Sequence, residues 1–117
     1  MGAPVVSQAL ETLTATIENG GSLSGAVDLG GRKLVAIDMP SSWTAASLTF
    51  QASPDGVTYY NVYDSATERS LTVDSSRFLH VDMEDWLGVR FLKLRSGTAA
   101  TPVDQTAART FTLIVQP

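Results

Sequence analysis

The chain has no cysteine and a single histidine, His80. Without a thiol there is no disulfide framework, no thiolate zinc site and no cysteine nucleophile. One imidazole cannot build a His-based metal cluster. Charge is scarce as well: 17% of the 117 residues are charged, against about a quarter in an average domain. The eight basic residues form no run beyond the pair Arg32-Lys33, and twelve acidic ones leave a net charge of −4. The clustered cations that nucleic-acid binding draws on are therefore missing. No apolar run approaches the roughly eighteen residues that span a bilayer. The N-terminus, MGAPVVSQALETL, lacks the basic start and long apolar core of a signal peptide. These absences predict a soluble, unsecreted protein with no metal or cofactor and neither nucleic acid nor membrane as a partner.

What the chain has instead is alternation. In TLTATIE, Leu13, Ala15 and Ile17 share one face while Thr12, Thr14, Thr16 and Glu18 share the other. KLVAIDM is apolar on both faces, which predicts a central strand. SLTFQAS turns Leu48, Phe50 and Ala52 inward, VTYYNVY follows a turn, and ERSLTVD, RFLHVDM, VRFLKLRS and RTFTLIVQP continue the pattern. The count is about nine strands at sandwich spacing. No stretch keeps a helical period over three turns; SSWTAA and MEDWLG reach a single turn at most. The reading is an all-β, antiparallel, jelly-roll-like β-sandwich. Residues 1–10 form an N-terminal arm and 11–117 a single domain, long enough to bury about two-thirds of its unfolded surface.

Several residues invite a functional reading, and each has a plainer one. In SPDG, Pro54 presets φ, Gly56 accepts a positive φ, and Asp55 can accept a bond from the backbone two residues on. These three are read as a structural turn. Tyr59, Tyr60 and Tyr63 follow, with Tyr60 facing opposite to the other two; one face is expected in the core and the other partly exposed. Trp43 and Trp86 are expected to plug the ends of a sandwich. Trp43 and Tyr60 are also the candidates for a platform that stacks on a sugar ring. His80 has no identifiable nucleophile or acid, and Asp82, Glu84 and Asp85 lack the glycine and interleaving of a calcium loop. Arg90, Lys93 and Arg95 concentrate positive charge on one strand of an acidic protein, which suggests pairing with carboxylates. No catalytic set can be assembled, so no enzyme is expected.

Two blocks carry a resemblance. Met39 to Gly56 reads Met-Pro, then Trp-x-x-Ala-x-Leu-Thr-Phe-Gln-x-Ser-x-Asp-Gly, and Arg95 to Gln105 reads Arg-Ser-Gly-Thr, then Pro-Val and Gln. With them the chain resembles small virion proteins of tailed bacteriophages and prophages of proteobacteria, from about Leu23 to Pro117. More loosely, ASPDGVTYY and VRFLKLRS are similar to hairpins of galactose-binding-like jelly rolls, whose sugar-reading loops match no residue here. The first resemblance implies a head decoration or cement protein on the capsid surface, made in the bacterial cytoplasm. Its partners would be the major capsid protein and copies of itself. A tail or baseplate component and a glycan-binding module are the alternatives.

The arm and the connection from Ser96 to Arg109 hold small, neutral side chains with little to bury in their own domain. Both are expected to be mobile in the free protein and to order against a neighbouring subunit. Val5, Val6, Thr98, Thr101, Pro102, Val103 and Gln105 are the interface candidates.

Overall fold

The computed structural model describes residues 10–82, 86 and 88–117. Among them no α-helix occurs. Alternating threonines and aliphatic residues suit a pleated, half-buried surface better than a helix. The strands are β1 (Glu11–Ile17), β2 (Val27–Asp28), β3 (Lys33–Asp38), β4 (Leu48–Ser53), β5 (Tyr60–Asn61), β6 (Tyr63–Asp64), β7 (Thr67–Glu68), β8 (Phe78–His80), β9 (Phe91–Ser96) and β10 (Arg109–Gln116).

One sheet has the order β1-β10-β3-β8, the other β2-β9-β4-β5, and β6-β7 is a separate hairpin. The pairs β4·β5, β3·β8, β2·β9 and β1·β10 are all antiparallel and nested about the β4–β5 connection. They form one long ribbon whose tip is the SPDG turn. The ribbon wraps so that β10 meets β3 and β9 meets β4. That is a jelly roll of eight strands with β6-β7 inserted. Apart from β4 to β5 and the inserted hairpin, successive strands cross from one sheet to the other, and such crossings keep ladders short. β2, β5, β6 and β7 have two residues each, where longer strands were expected.

The core lies between the sheets. Ile17, Leu34, Ile37, Phe111, Leu113 and Val115 from the first sheet meet Leu48, Phe50, Leu92 and Leu94 from the second, all fully buried. Each such side chain contributes about 1.5–3 kcal/mol relative to exposure. β3 lies inside its sheet, as its apolar sequence predicts. Trp86 is buried edge-on against Phe50, with ring centroids 4.8 Å apart.

The tyrosines correct an expectation. None of the three enters the core; Val62, between them, packs against it instead. β5 leaves its sheet after Asn61, and Val62 is anchored by its N–H to the Phe50 carbonyl at 3.0 Å. Tyr60 and Tyr63 stay 64% and 55% exposed.

Candidate functional site

The two outer faces of the sandwich differ, and the difference locates the candidate site. The outer face of the β2-β9-β4-β5 sheet is covered by the chain itself. After β4, the Ser53 hydroxyl accepts from the Gly56 N–H at 2.9 Å, and Asp55 Oδ1 accepts from Val57 N–H at 2.8 Å and Thr58 N–H at 3.1 Å. This Asx-type turn folds residues 54–59 back over the sheet. Gly56, at φ +78°, lies over the Phe91 ring, and a Cβ there would meet ring carbons at 3.3 Å. The Tyr59 ring then sits 4.3 Å from Lys93 Nζ. Valine at position 56 meets both obstacles, so Gly56→Val should cost about 1–3 kcal/mol. Thermal denaturation checks this; an unchanged melting temperature would contradict the turn geometry.

The same turn has an acid signature. The N–H groups of Val57 and Thr58 and the Ser53 hydroxyl hold the Asp55 carboxyl below the usual carboxylate value. Asp28 is lowered likewise, first by its hydrogen bond from Arg90 and then by the Gly30 N–H. A folded-state pKa below the unfolded one gives stability that is present above the unfolded pKa, about 3.9. It is lost as pH falls through the folded pKa. Melting temperature should therefore fall below about pH 4, and Asp55→Asn should flatten that fall while leaving the neutral-pH fold in place. Parallel acid titrations of the two proteins give the comparison.

Further along the covered face lies Arg95. It was expected to seek a carboxylate, and it does so under cover. Its Nη2 donates to Glu68 Oε2 at 2.7 Å, Nη1 to Asn61 Oδ1 at 3.0 Å and Nε to Thr49 Oγ1 at 3.0 Å. Glu68 in turn accepts from the Ala99 N–H at 3.1 Å. The β6-β7 hairpin is thus the lid that buries a charged residue on the outer side of β9. Arg90, at the other end of the strand, pairs with Asp28 at 3.2 Å in the open.

Gln105 corrects the interface expectation. It is 1% exposed, and its side chain is used up within the chain. Oε1 accepts from Thr44 N–H and Arg109 Nε, both at 2.9 Å, while Nε2 donates to Thr44 O at 3.0 Å and Ser96 Oγ at 2.7 Å. Its backbone also pairs with Gly20 and Gly21. The 96–109 connection was expected to lack internal partners. It is instead tied down from both sides, because one long amide bridges three loops that the jelly roll brings to the same end. Thr101 and Pro102 are exposed and Thr98 and Val103 half-buried. Val5, Val6, Glu84 and Asp85 lie outside the described residues.

Trp43 packs against this end of the core. Its ring meets Phe111 edge-on at 5.5 Å and its Nε1–H donates to Ala46 O at 3.1 Å. Little of its face is left for a sugar, whereas Tyr60 keeps its ring in solvent on the edge strand β5.

Among the described residues, no segment folds back over the outer face of the β1-β10-β3-β8 sheet in this way. Cross-strand rows place Thr14, Thr112, Asp38 and Phe78 side by side, and Thr12, Ile114, Ala36 and His80 in the next row. Thr16 and Thr110 continue it with an Oγ1–Oγ1 bond of 2.9 Å. Phe78 is 59% exposed, edge-on to His80 at 5.5 Å. Of these residues Asp38 alone carries a fixed charge. An open sheet of hydroxyl, methyl and aromatic groups makes contacts over area. This face is the candidate interface.

No family model matches the chain, and no curated protein matches it. Among solved structures, it is similar to the crystal structure of the SPBc2 prophage-derived protein YomS, with a TM-score of 0.56. The two share a fold. Identity is 14%, and the alignment covers 97% of this chain and 100% of that one. The likeness spans the whole jelly roll.

The open threonine face escaped the reading of the sequence. Alternation showed that Thr12, Thr14 and Thr16 point outward. It could not show that β10, about a hundred residues away, lies beside them, or that the opposite sheet is the one the chain covers.

Proposed function

We propose that the chain is a structural protein of a tailed-phage virion, acting on the head as a decoration or cement protein. The observation that carries this reading is the jelly-roll fold shared, over the full length of both chains, with a prophage-derived protein. The resemblance of the Met39–Gly56 and Arg95–Gln105 blocks to phage virion proteins supports it, as does the sparsely charged open sheet. The protein works by contact rather than by turnover. The open face and the exposed tip of the 96–109 loop bridge adjacent capsid subunits, and copies of the chain stand beside one another on the lattice. Each contact is modest, and many copies together hold the shell against the pressure of packaged DNA.

Mass spectrometry of purified virions, separated into heads and tails, tests the proposal. The protein should be found on heads at a copy number of the same order as the major capsid protein. Recovery with tails alone would make it a tail or baseplate component. Absence from the particle would overturn the virion reading altogether.

A further inference from the structure

The four sheet edges of the jelly roll are unequal. β2 and β5 are two residues long and β8 three, and short edges resist pairing with foreign strands. β1 is the exception. Its seven residues pair with β10 on one side, and among the described residues no strand lies on the other. The open edge is about 24 Å of backbone. Among the described residues it lacks three common devices that protect an edge: the segment Glu11–Ile17 holds no lysine and no proline, and its register against β10 runs without a bulge.

Its sequence is also symmetric in chemistry. In Thr12-Leu13-Thr14-Ala15-Thr16 the threonines repeat about Thr14, with an aliphatic residue on each side. If the strand meets a second copy of itself antiparallel about Thr14, Thr12 faces Thr16 and Leu13 faces Ala15. Threonine pairs and aliphatic pairs are both favourable across strands. Glu11 then faces Ile17 and Glu18 faces Leu10, so no carboxylate opposes another. Leu10, 61% exposed in the single chain, gains a neighbour. A two-fold axis is the symmetry in which one patch can meet itself.

We propose that the chain self-associates through β1, edge to edge, into a dimer with a continuous eight-stranded sheet. The partner is a second copy of this chain. The dimer doubles the open threonine face into one surface. This inference rests on the edge and its symmetry, and it holds whether or not the protein belongs to a virion. A single strand pair buries less than the roughly 1,200–2,000 Å² of a standard interface, so the free dimer should be weak, with Kd on the order of tens of micromolar.

Light scattering of the full chain should show the mass rising from monomer towards dimer as concentration passes through that range. Thr14→Lys places two like charges at the two-fold axis, on a side chain that is exposed in the monomer. This variant should stay monomeric with an unchanged melting temperature. Because the chain has no cysteine, Thr14→Cys gives a direct readout. Under mild oxidation it should form a disulfide-linked dimer, and Thr72→Cys, exposed elsewhere, should form far less. A wild type that stays monomeric throughout, with the two cysteine variants cross-linking equally, would overturn the proposal. So would an oligomer that Thr14→Lys leaves intact.

Discussion

Gly97→Ala should be among the most damaging single substitutions in this protein, although it adds one methyl group. Gly97 follows β9 with φ +88°, a conformation that costs an alanine on the order of 1 kcal/mol. The larger obstacle is space. A Cβ at this position would lie 2.5 Å from the Thr101 carbonyl oxygen, 2.7 Å from the Val103 nitrogen and 2.9 Å from the Pro102 Cα. All three are backbone atoms, so no side chain can swing aside. Relief requires shifting the 98–103 loop, and that loop is fixed by Gly97 N–H to Ser47 O at 2.8 Å and Val103 N–H to Ser96 O at 2.9 Å. The Gly97 carbonyl also accepts from the buried Thr49 hydroxyl at 2.7 Å, and Thr49 holds Arg95. A loss of about 3 kcal/mol or more is expected, a large share of the 5–15 kcal/mol typical of a domain. The melting temperature should fall by roughly 10 °C or more. A shift of only a degree or two would mean that the loop has room the structure does not give it.

The fold was legible where burial is one-sided. Every second residue of β10 is buried along the whole strand, and β1 alternates in the same sense from Leu13 onward, so period two in the sequence is period two in space. β3 was legible for the complementary reason, since a strand apolar on both faces belongs inside a sheet. Legibility ended where burial depends on chain far away. On β9, Lys93 and Arg95 point to the same side, and nothing local distinguishes them. Lys93 stays half-buried under Tyr59, whereas Arg95 is sealed by a hairpin contributed by residues 63–68. Its cationic character predicted a carboxylate; its burial could not be read from strand parity. The tyrosines failed in the same way. A strand of full length would have put one of them inside, but β5 stops after two residues. The SPDG turn succeeded because its geometry is written in adjacent residues: proline, an acceptor side chain and a glycine.

Gln105 is the strongest case of a role hidden from sequence, and it gives the second large effect. Within a stretch of small polar residues it looks like solvent-facing loop. In the fold it joins Thr44, Ser96 and Arg109, with every polar atom of its amide engaged. Gln105→Met keeps the length and volume and removes all four bonds. The Thr44 N–H and carbonyl, part-buried, and the buried Ser96 hydroxyl then lose partners. Leaving buried polar groups unmade costs about 1–3 kcal/mol each before relaxation. The guanidinium of Arg109 matters more. It is 9% exposed, and among the described residues no carboxylate pairs with it; its remaining partners are the hydroxyls of Thr44 at 3.2 Å and Thr106 at 3.4 Å. Taking away its shortest bond moves a buried cation towards the uncompensated state. The expected loss is about 3–5 kcal/mol, seen as a lower denaturant midpoint with the slope unchanged. Gln105→Glu separates charge from bonding. A carboxylate can accept from Thr44 N–H and from Arg109, and its charge favours the guanidinium, but it cannot donate to Thr44 O. It should therefore recover part of the loss, so that stability runs from wild type through Glu to Met. If Met at this position is as stable as glutamine, the amide is only filling space and the 96–109 loop is held by something else.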